Sequence, residues 1–178
     1  MNTNETNSNF EWVQAALKRF EGPLIRYAAR ITGSVEEARD VVQDTFLRLC
    51  SADRSSVDGH LAAWLYTVCR NRALDIARKE RRMVPLNEAV AANREAPGQH
   101  AARLAEQRDT HSAVLTIIDT LPEQQQEVVR LKFQDSLSYK EISEATGLTV
   151  SNVGFLLHTA IKTIRRQVAA NTDLLDQA

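Results

Sequence analysis

The sequence is poor in residues that interrupt regular structure, with six glycines and four prolines among 178 residues. Ala, Leu, Arg, Glu and Gln, which favour helix, are spread along its whole length. No stretch alternates apolar and polar residues over the length of a strand. With 43% hydrophobic and 25% charged residues, the composition excludes a disordered chain and predicts a soluble, all-α protein.

Several kinds of site are also absent. There is no apolar run of membrane-spanning length and no secretory signal. Cys50 and Cys69 are the only cysteines, and their helical, apolar surroundings predict two buried free thiols in a reducing compartment. The four histidines lack metal-ligand spacing; they are His60, His100, His111 and His158. We therefore expect a cytoplasmic protein without a metal or another cofactor.

Catalytic motifs are missing as well. The sequence shows no nucleophile beside a base, no phosphate-binding loop and no metal cluster, so we do not expect an enzyme. The net charge of −1 gives no overall attraction to nucleic acid, but the charges are segregated along the chain. Acids dominate from residue 36 to 53, whereas bases dominate from residue 64 to 82. This segregation indicates two different macromolecular partners.

The first half of the chain predicts helices with clear start and stop signals. Residues 1–9 are polar and are expected to form a disordered tail. A helical pattern covers residues 10–31, with a break or kink expected at Gly22-Pro23. Ser34 and Glu37 then stand in capping-box spacing at the start of a second helix.

A polar loop, 51–59, separates that second helix from a third one, which begins near His60 and is stopped by Pro85. Its exposed side becomes more basic towards its end. Residues 84–109 combine alanine, charge, proline and glycine with weak periodicity, and they predict a linker. The first domain is thus expected to span residues 10–83.

A second helical domain is expected over residues 110–170, followed by a tail, 171–178. Pro122 is expected at the first position of a helix. The inward residues of that helix are predicted to be Val128, Leu131 and Phe133.

The segment 136–166 predicts a helix-turn-helix. Ser138 and Glu141 have capping-box spacing, and Gly147 stands where a left-handed residue ends the first helix. The next helix places an apolar sector towards a small core; its members are Val153, Leu157, Ala160, Ile161, Ile164 and Val168. No acid occurs between residues 150 and 168, which suits a DNA groove. The alternative is a helical hairpin inside an all-helical core.

Four motifs occur together in this chain: EEARDVVQDTFLRL (36–49), AAWLYTVCRNRALDIARKERR (62–82), LPEQQQEVVRLKF (121–133) and the helix-turn-helix. In this order and spacing they resemble the extracytoplasmic-function (ECF) sigma factors of bacterial RNA polymerase. The resemblance implies sigma domain 2 at residues 10–83 and sigma domain 4 at residues 110–170. It also implies core RNA polymerase and promoter DNA as partners, and it leaves open an anti-sigma protein.

The resemblance assigns roles to three groups of residues. Those implied to bind core polymerase are Glu37, Asp40, Val41, Gln43, Asp44, Phe46 and Leu47. Those implied to hold the opened −10 element are Trp64, Asn71, Arg72, Asp75, Arg78, Lys79 and Arg82. Those implied to contact the −35 element are Ser151, Asn152, Phe155, His158, Thr159, Lys162 and Arg166.

Each group has a simpler structural interpretation. Asp40 and Asp44 would also suit the solvated face of any domain helix, Trp64 would suit a core, and Asp75 would suit a pair with a neighbouring arginine. The last helix departs from the common family pattern, because uncharged residues stand where many members carry Lys or Arg; they are Gly154, Leu156, Thr159 and Ile161.

Two other functions also remain open: a helix-turn-helix regulator acting without polymerase, and a helical decoy that binds polymerase without starting transcription.

Overall fold

The computed structural model describes the backbone of residues 3–83 and 114–175, and within these ranges the side chains of residues 9–79 and 114–170. The predicted linker and the end of the predicted C-terminal tail lie outside the described residues. All regular secondary structure in the described ranges is helical, which confirms the all-α prediction. The chain divides into two compact units, each of which has its own core.

The first unit is built from three long helices and a short connection. Its elements are α1 (Thr3–Thr32), α2 (Val35–Ser51), α3 (Arg54–Val57), a 3-10 turn (Asp58–His60) and α4 (Leu61–Met83). Helix α1 packs against both α2 and α4, which also pack against each other. Leu24, Leu49 and Leu65 are fully buried at the centre. The rings of Tyr27 and Tyr66 meet edge to face, with centroids 5.2 Å apart.

Helix α1 differs from the prediction in two ways. It begins at Thr3, so it includes most of the segment that we expected to be a disordered tail. It also continues through Pro23, which excludes a break at Gly22-Pro23, one of the two outcomes that we expected there. A proline removes one backbone donor from a helix, but Leu24, Tyr27 and Ala28 are buried just beyond it. Burial of this apolar face stabilises the helix against the local preference of the sequence.

The start of α2 agrees with the predicted cap. The Ser34 hydroxyl accepts a hydrogen bond from the backbone N–H of Glu37 at 3.3 Å. Gly33 precedes it with φ of +82°, a conformation that glycine adopts without steric cost. The predicted polar loop, in contrast, contains α3 and the 3-10 turn.

The second unit contains residues 114–119 (α5), α6 (Glu123–Phe133), α7 (Tyr139–Thr146) and α8 (Val150–Leu175). Helix α6 packs against α8, and Val128 and Leu131 are buried as predicted. Pro122 is the N-cap of α6, one position before the predicted one. Phe133 is 61% exposed, so its predicted inward position is wrong. At about 100° per residue it lies roughly 160° around the helix from Leu131, and both cannot face the core.

A buried arginine joins two helices of this unit. The Arg130 side chain is 9% exposed, and its guanidinium is paired with the carboxylate of Asp119. Because removal of one partner leaves a buried charge uncompensated, we expect Asp119→Ala to lower the free energy of unfolding by about 2 kcal/mol or more. Arg130→Met should cost less, since it removes the charge together with its need for a partner. Urea unfolding of both variants measures the difference, and an equal or smaller loss for Asp119→Ala would contradict it.

Candidate nucleic-acid interface and docking face

The outer side of α2 carries a stripe of solvent-facing residues at spacings of three and four, which we call the docking face. Its members are the exposed Asp40, Gln43 and Leu47 and the partly exposed Asp44. Leu47 is 59% exposed. Glu37, at the start of the helix, is only partly exposed. Val41 and Phe46 are 0% and 7% exposed. These two predicted docking residues therefore support α2 from the interior.

An apolar groove of about 460 Å³ runs between α1 and α2 beside the docking face. Gln43 and Leu47 line it from the docking face, and Leu17 lines it from α1. Leu17 is 37% exposed, and sequence analysis did not single it out. Only the packing of the two helices places it near the docking face, so no local pattern indicates its position.

Two residues predicted for different sites contact each other. The Nε–H of Arg72 on α4 donates to Oδ2 of Asp44 on α2 at 2.9 Å, and both side chains are a little over 40% exposed. This ion pair ties α2 to α4 next to the docking face. A charge change at Asp44 would therefore alter Arg72 as well.

The two cysteines differ in a way that the sequence did not predict. Cys69 is buried as expected, but Cys50 is exposed and lines the groove. Burial raises the pKa of the Cys69 thiol to about 12, although a hydrogen bond with Thr45 opposes the shift. Thiolates, not thiols, react with electrophiles.

We therefore expect a thiol reagent at neutral pH to label one cysteine per folded chain, at Cys50. Cys50→Ser should abolish labelling of the native protein, and denaturation should expose Cys69. Mass spectrometry of intact protein counts the labels. Labelling of Cys69 under native conditions would contradict the observed burial.

The outer side of α4 carries the residues predicted for the −10 element. Asn71, Arg78 and Lys79 are exposed, and Asp75 pairs with Arg78 at 3.6 Å, as its simpler interpretation predicted. Trp64 is partly exposed rather than sealed in the core. The side chain of Arg82 lies outside the described residues. The helix thus presents a cationic, partly polar surface near its end.

The helix-turn-helix has the predicted local chemistry. The Ser138 hydroxyl accepts from Glu141 N–H at 3.2 Å, and the Glu141 carboxylate accepts from Ser138 N–H at 2.7 Å. Gly147 ends α7 with φ of +75°. The Ser143 hydroxyl donates to the carbonyl of Leu148 at 2.5 Å. These contacts fix the turn that leads into α8.

Helix α8 has one buried side and one polar side. Val153, Leu157 and Ala160 are almost completely buried. Thr149 caps the helix, since its hydroxyl accepts from Asn152 N–H at 3.2 Å. The exposed residues of the predicted −35 group are Ser151, Asn152, Phe155, His158, Lys162 and Arg166, and Thr159 is partly exposed. Phe155 is 66% exposed.

Two further residues lie beside this face. The ring of Tyr139 approaches Gly154, where a Cβ would stand 3.7 Å from Cε2. The ammonium of Lys132 lies 5.6 Å from the centre of the same ring. Sequence analysis missed both residues, because only the packing of the helices brings them beside position 154.

Two kinds of feature are absent from the described residues. No helix in the described ranges is both long and apolar enough to cross a bilayer. Among the same residues, no cluster of histidine, cysteine, aspartate or glutamate has the arrangement of a metal site.

Comparison with known proteins places both units in one family. Residues 16–83 match the family model of Sigma-70 region 2, and residues 111–164 match that of Sigma-70 region 4. The ECF RNA polymerase sigma factor SigL of Mycobacterium tuberculosis is 30% identical over 149 residues, which cover 80% of each chain. The RNA polymerase sigma factor YlaC of Bacillus subtilis is 24% identical over 168 residues, 90% of this chain and 94% of the relative.

The fold agrees with a solved structure. One similar structure is CnrH in complex with the cytosolic domain of CnrY, with a TM-score of 0.57 and 23% identity over 93% of this chain and 92% of the other. The two region models lie in the order of the two compact units, and relatives at 30% identity span most of both chains. The chain belongs to the ECF family of RNA polymerase sigma factors.

Proposed function

We propose that this sigma factor binds core polymerase through the docking face of α2, holds the opened −10 element on α4 and contacts the −35 element through α8. The observation that carries the proposal is the separation of three exposed surfaces of different chemistry on a two-unit chain. One is acidic and apolar, one is cationic beside polar groups, and one is an acid-free helix of a helix-turn-helix. A regulator that acts without polymerase is not favoured, because it would not need region 2.

The docking face suits a partner that is basic and partly apolar. Asp40 and Asp44 supply negative charge. Leu47 is an exposed apolar side chain that lines the adjacent groove and can contact a partner. Charge complementarity guides encounter and orientation, whereas buried apolar anchors contribute most of the affinity. A helical element of core polymerase with basic side chains satisfies both requirements.

The outer surface of α4 suits single-stranded DNA. Arg78 and Lys79 are exposed cations that can contact phosphates, and Asn71 offers an amide that can donate to and accept from a base. Trp64 is partly exposed on the same helix, and an aromatic face can stack on an unpaired base. Together these groups favour a displaced strand over a closed duplex.

Helix α8 suits the major groove. Its N-terminal residues Ser151, Asn152 and Phe155 are uncharged and exposed, whereas Lys162 and Arg166 lie about two and three turns beyond Phe155. A recognition helix enters the groove with its N-terminal residues on base edges. The cations then lie where they contact phosphates, which position the protein without selecting a sequence.

Two further parts of the proposal concern context. We propose that the chain carries out no covalent chemistry itself and acts in the cytoplasm, where polymerase is found. We also propose an anti-sigma protein as a second class of partner. The structural neighbour was solved with the cytosolic domain of another protein, which supports a protein partner for this fold.

The −10 assignment predicts a template-dependent defect. Replacing Arg78 and Lys79 with alanine should slow open-complex formation on duplex promoters and lower the logarithmic salt slope by about 0.7 for each lost contact with single-stranded phosphate. On a template already unpaired across the −10 region, the defect should be much smaller. Permanganate footprinting over time measures strand opening on both templates.

The matched control removes two exposed cations from α1, at Lys18 and Arg19, and should leave opening unchanged. Equal defects on duplex and unpaired templates would show that Arg78 and Lys79 act before or outside strand opening.

A further inference from the structure

Trp12 on α1 contacts the short connection between α2 and α4. Its indole N–H donates to Oδ1 of Asp58 at 2.9 Å. The guanidinium carbon of Arg54 lies 5.4 Å from the centre of its ring. Asp58 begins the 3-10 turn and Arg54 begins α3. Trp12 therefore links both α3 and the 3-10 turn to the first helix; together these two elements form the connection, residues 53–60.

The connection is also ordered from within. The Asp53 carboxylate accepts from the N–H of Ser55 at 3.1 Å and from its hydroxyl at 2.7 Å. These hydrogen bonds lower the pKa of Asp53. The Ser56 hydroxyl donates to the Asp53 carbonyl at 2.7 Å, and Val57 is 2% exposed. The segment thus has a defined shape, although most of its side chains face solvent.

The exposed side chains of the connection are small and polar. Ser55, Ser56 and His60 are exposed. The two hydroxyls, whose protons are bonded to Asp53, can still accept from base edges, and the imidazole can donate to a base or a phosphate. The segment leads directly into α4 at Leu61. A connection of this kind supports strand opening best when its polar groups are already in position. If they had to be ordered on binding, the entropy cost would reduce the net free energy of binding the displaced strand.

From this geometry we infer that Trp12 is a positioning residue for promoter opening, acting through Asp58 on the connection 53–60. The inference rests on the proposed function of α4 and names a residue of α1 that serves it. Trp12 does not need to touch DNA. Its indole N–H fixes the 3-10 turn from which α4 starts, and its ring contacts Arg54 at the start of α3.

The test uses the full chain bound to core polymerase. Trp12→Phe keeps the ring but removes the N–H donor, and Asp58→Ala removes the acceptor. Each should slow opening of a duplex promoter about 5-fold, the effect of one hydrogen bond of ordinary net strength at an exposed site. The double variant should be no slower than either single one. Asp58→Asn retains an acceptor oxygen and should restore most of the rate.

Two readouts separate positioning from simple stability. Core affinity should stay at the level of the parent, and the preference among randomised −10 sequences should weaken in Trp12→Phe and Asp58→Ala alike. Phe10→Ala is the matched control, since it truncates a 60% exposed aromatic residue on the same helix, and it should leave both readouts unchanged.

The outcomes distinguish this inference from the proposed function. Any of three results would overturn the role of Trp12 while leaving the sigma function intact. The opening rate of the double variant could fall by the product of the two single effects, the rate of Trp12→Phe could be unchanged, or the −10 preference could be unchanged. A parent chain that opens no promoter with core polymerase would overturn the proposed function first, and the inference with it.

Discussion

Core polymerase should bind the double variant Asp40→Lys, Leu47→Ala about 100-fold more weakly than the parent chain, the combined effect expected for one interface charge and one apolar anchor. Both side chains are exposed, so neither change removes a contact from the core of the unit. Asp40→Lys alone should mainly slow association and weaken its salt dependence, because an exposed charge acts through long-range attraction. Leu47→Ala should mainly speed dissociation.

Asp44 is left unchanged in this experiment for a structural reason. Its ion pair with Arg72 joins α2 to α4, so its reversal would disturb the −10 surface together with the docking face. The control Glu11→Lys makes the same change of net charge as Asp40→Lys on the exposed surface of α1. Fluorescence anisotropy gives the affinity and circular dichroism gives the helical content. Unchanged affinity in a fully helical double variant would refute the docking assignment.

The −35 surface should separate into residues that select bases and residues that hold phosphates. Phe155→Ala or Asn152→Ala should change which −35 sequences are preferred, by about 1 to 3 kcal/mol at the affected base pair. Phe155 is a candidate for contact with a thymine methyl group. Its 66% exposure means that its removal should not destabilise the unit.

Lys162→Ala serves as the matched comparison on the same helix. It should weaken binding by a similar factor for every −35 sequence and reduce the logarithmic salt slope by about one, as loss of a phosphate contact requires. Selection from a library randomised across the −35 element measures all three variants. If the Phe155 and Asn152 variants keep the preferences of the parent and only bind more weakly, α8 does not contact bases through these residues.

Features that depend on a few neighbouring residues were predictable from the sequence. The N-cap at Ser34, the capping box at Ser138 and the left-handed Gly147 follow from the hydrogen bonds and steric freedom of residues within one turn. The buried side of α8 follows from helical periodicity. In each case the sequence within ten residues determines the outcome.

Features that depend on packing were not predictable in the same way. Pro23 remains inside α1 because burial of Leu24 and its neighbours outweighs the lost hydrogen bond. No local pattern indicates that Asp44 meets Arg72, 28 residues later, or that Trp12 meets Asp58, 46 residues later. The sequence offers many acids and bases at similar spacings, and only the packing of α1, α2 and α4 selects these pairs.

The same distinction applies to the candidate sites. The family resemblance assigned Val41 and Phe46 to a docking surface, although both are buried. It could not indicate Tyr139 and Lys132 beside Gly154 or Leu17 beside the docking face. These residues join the surfaces through contacts between helices that are distant in sequence.

Transcription in vitro with core polymerase, this chain and a genomic DNA library tests the central claim most directly. Because the three surfaces together bind polymerase and two promoter elements, we predict RNA that starts at discrete sites only when the chain is present. Scrambling either the −10 or the −35 element of such a site should abolish its transcript. Duplex DNA binding without any new start site, or core binding without a specific transcript, would contradict the account.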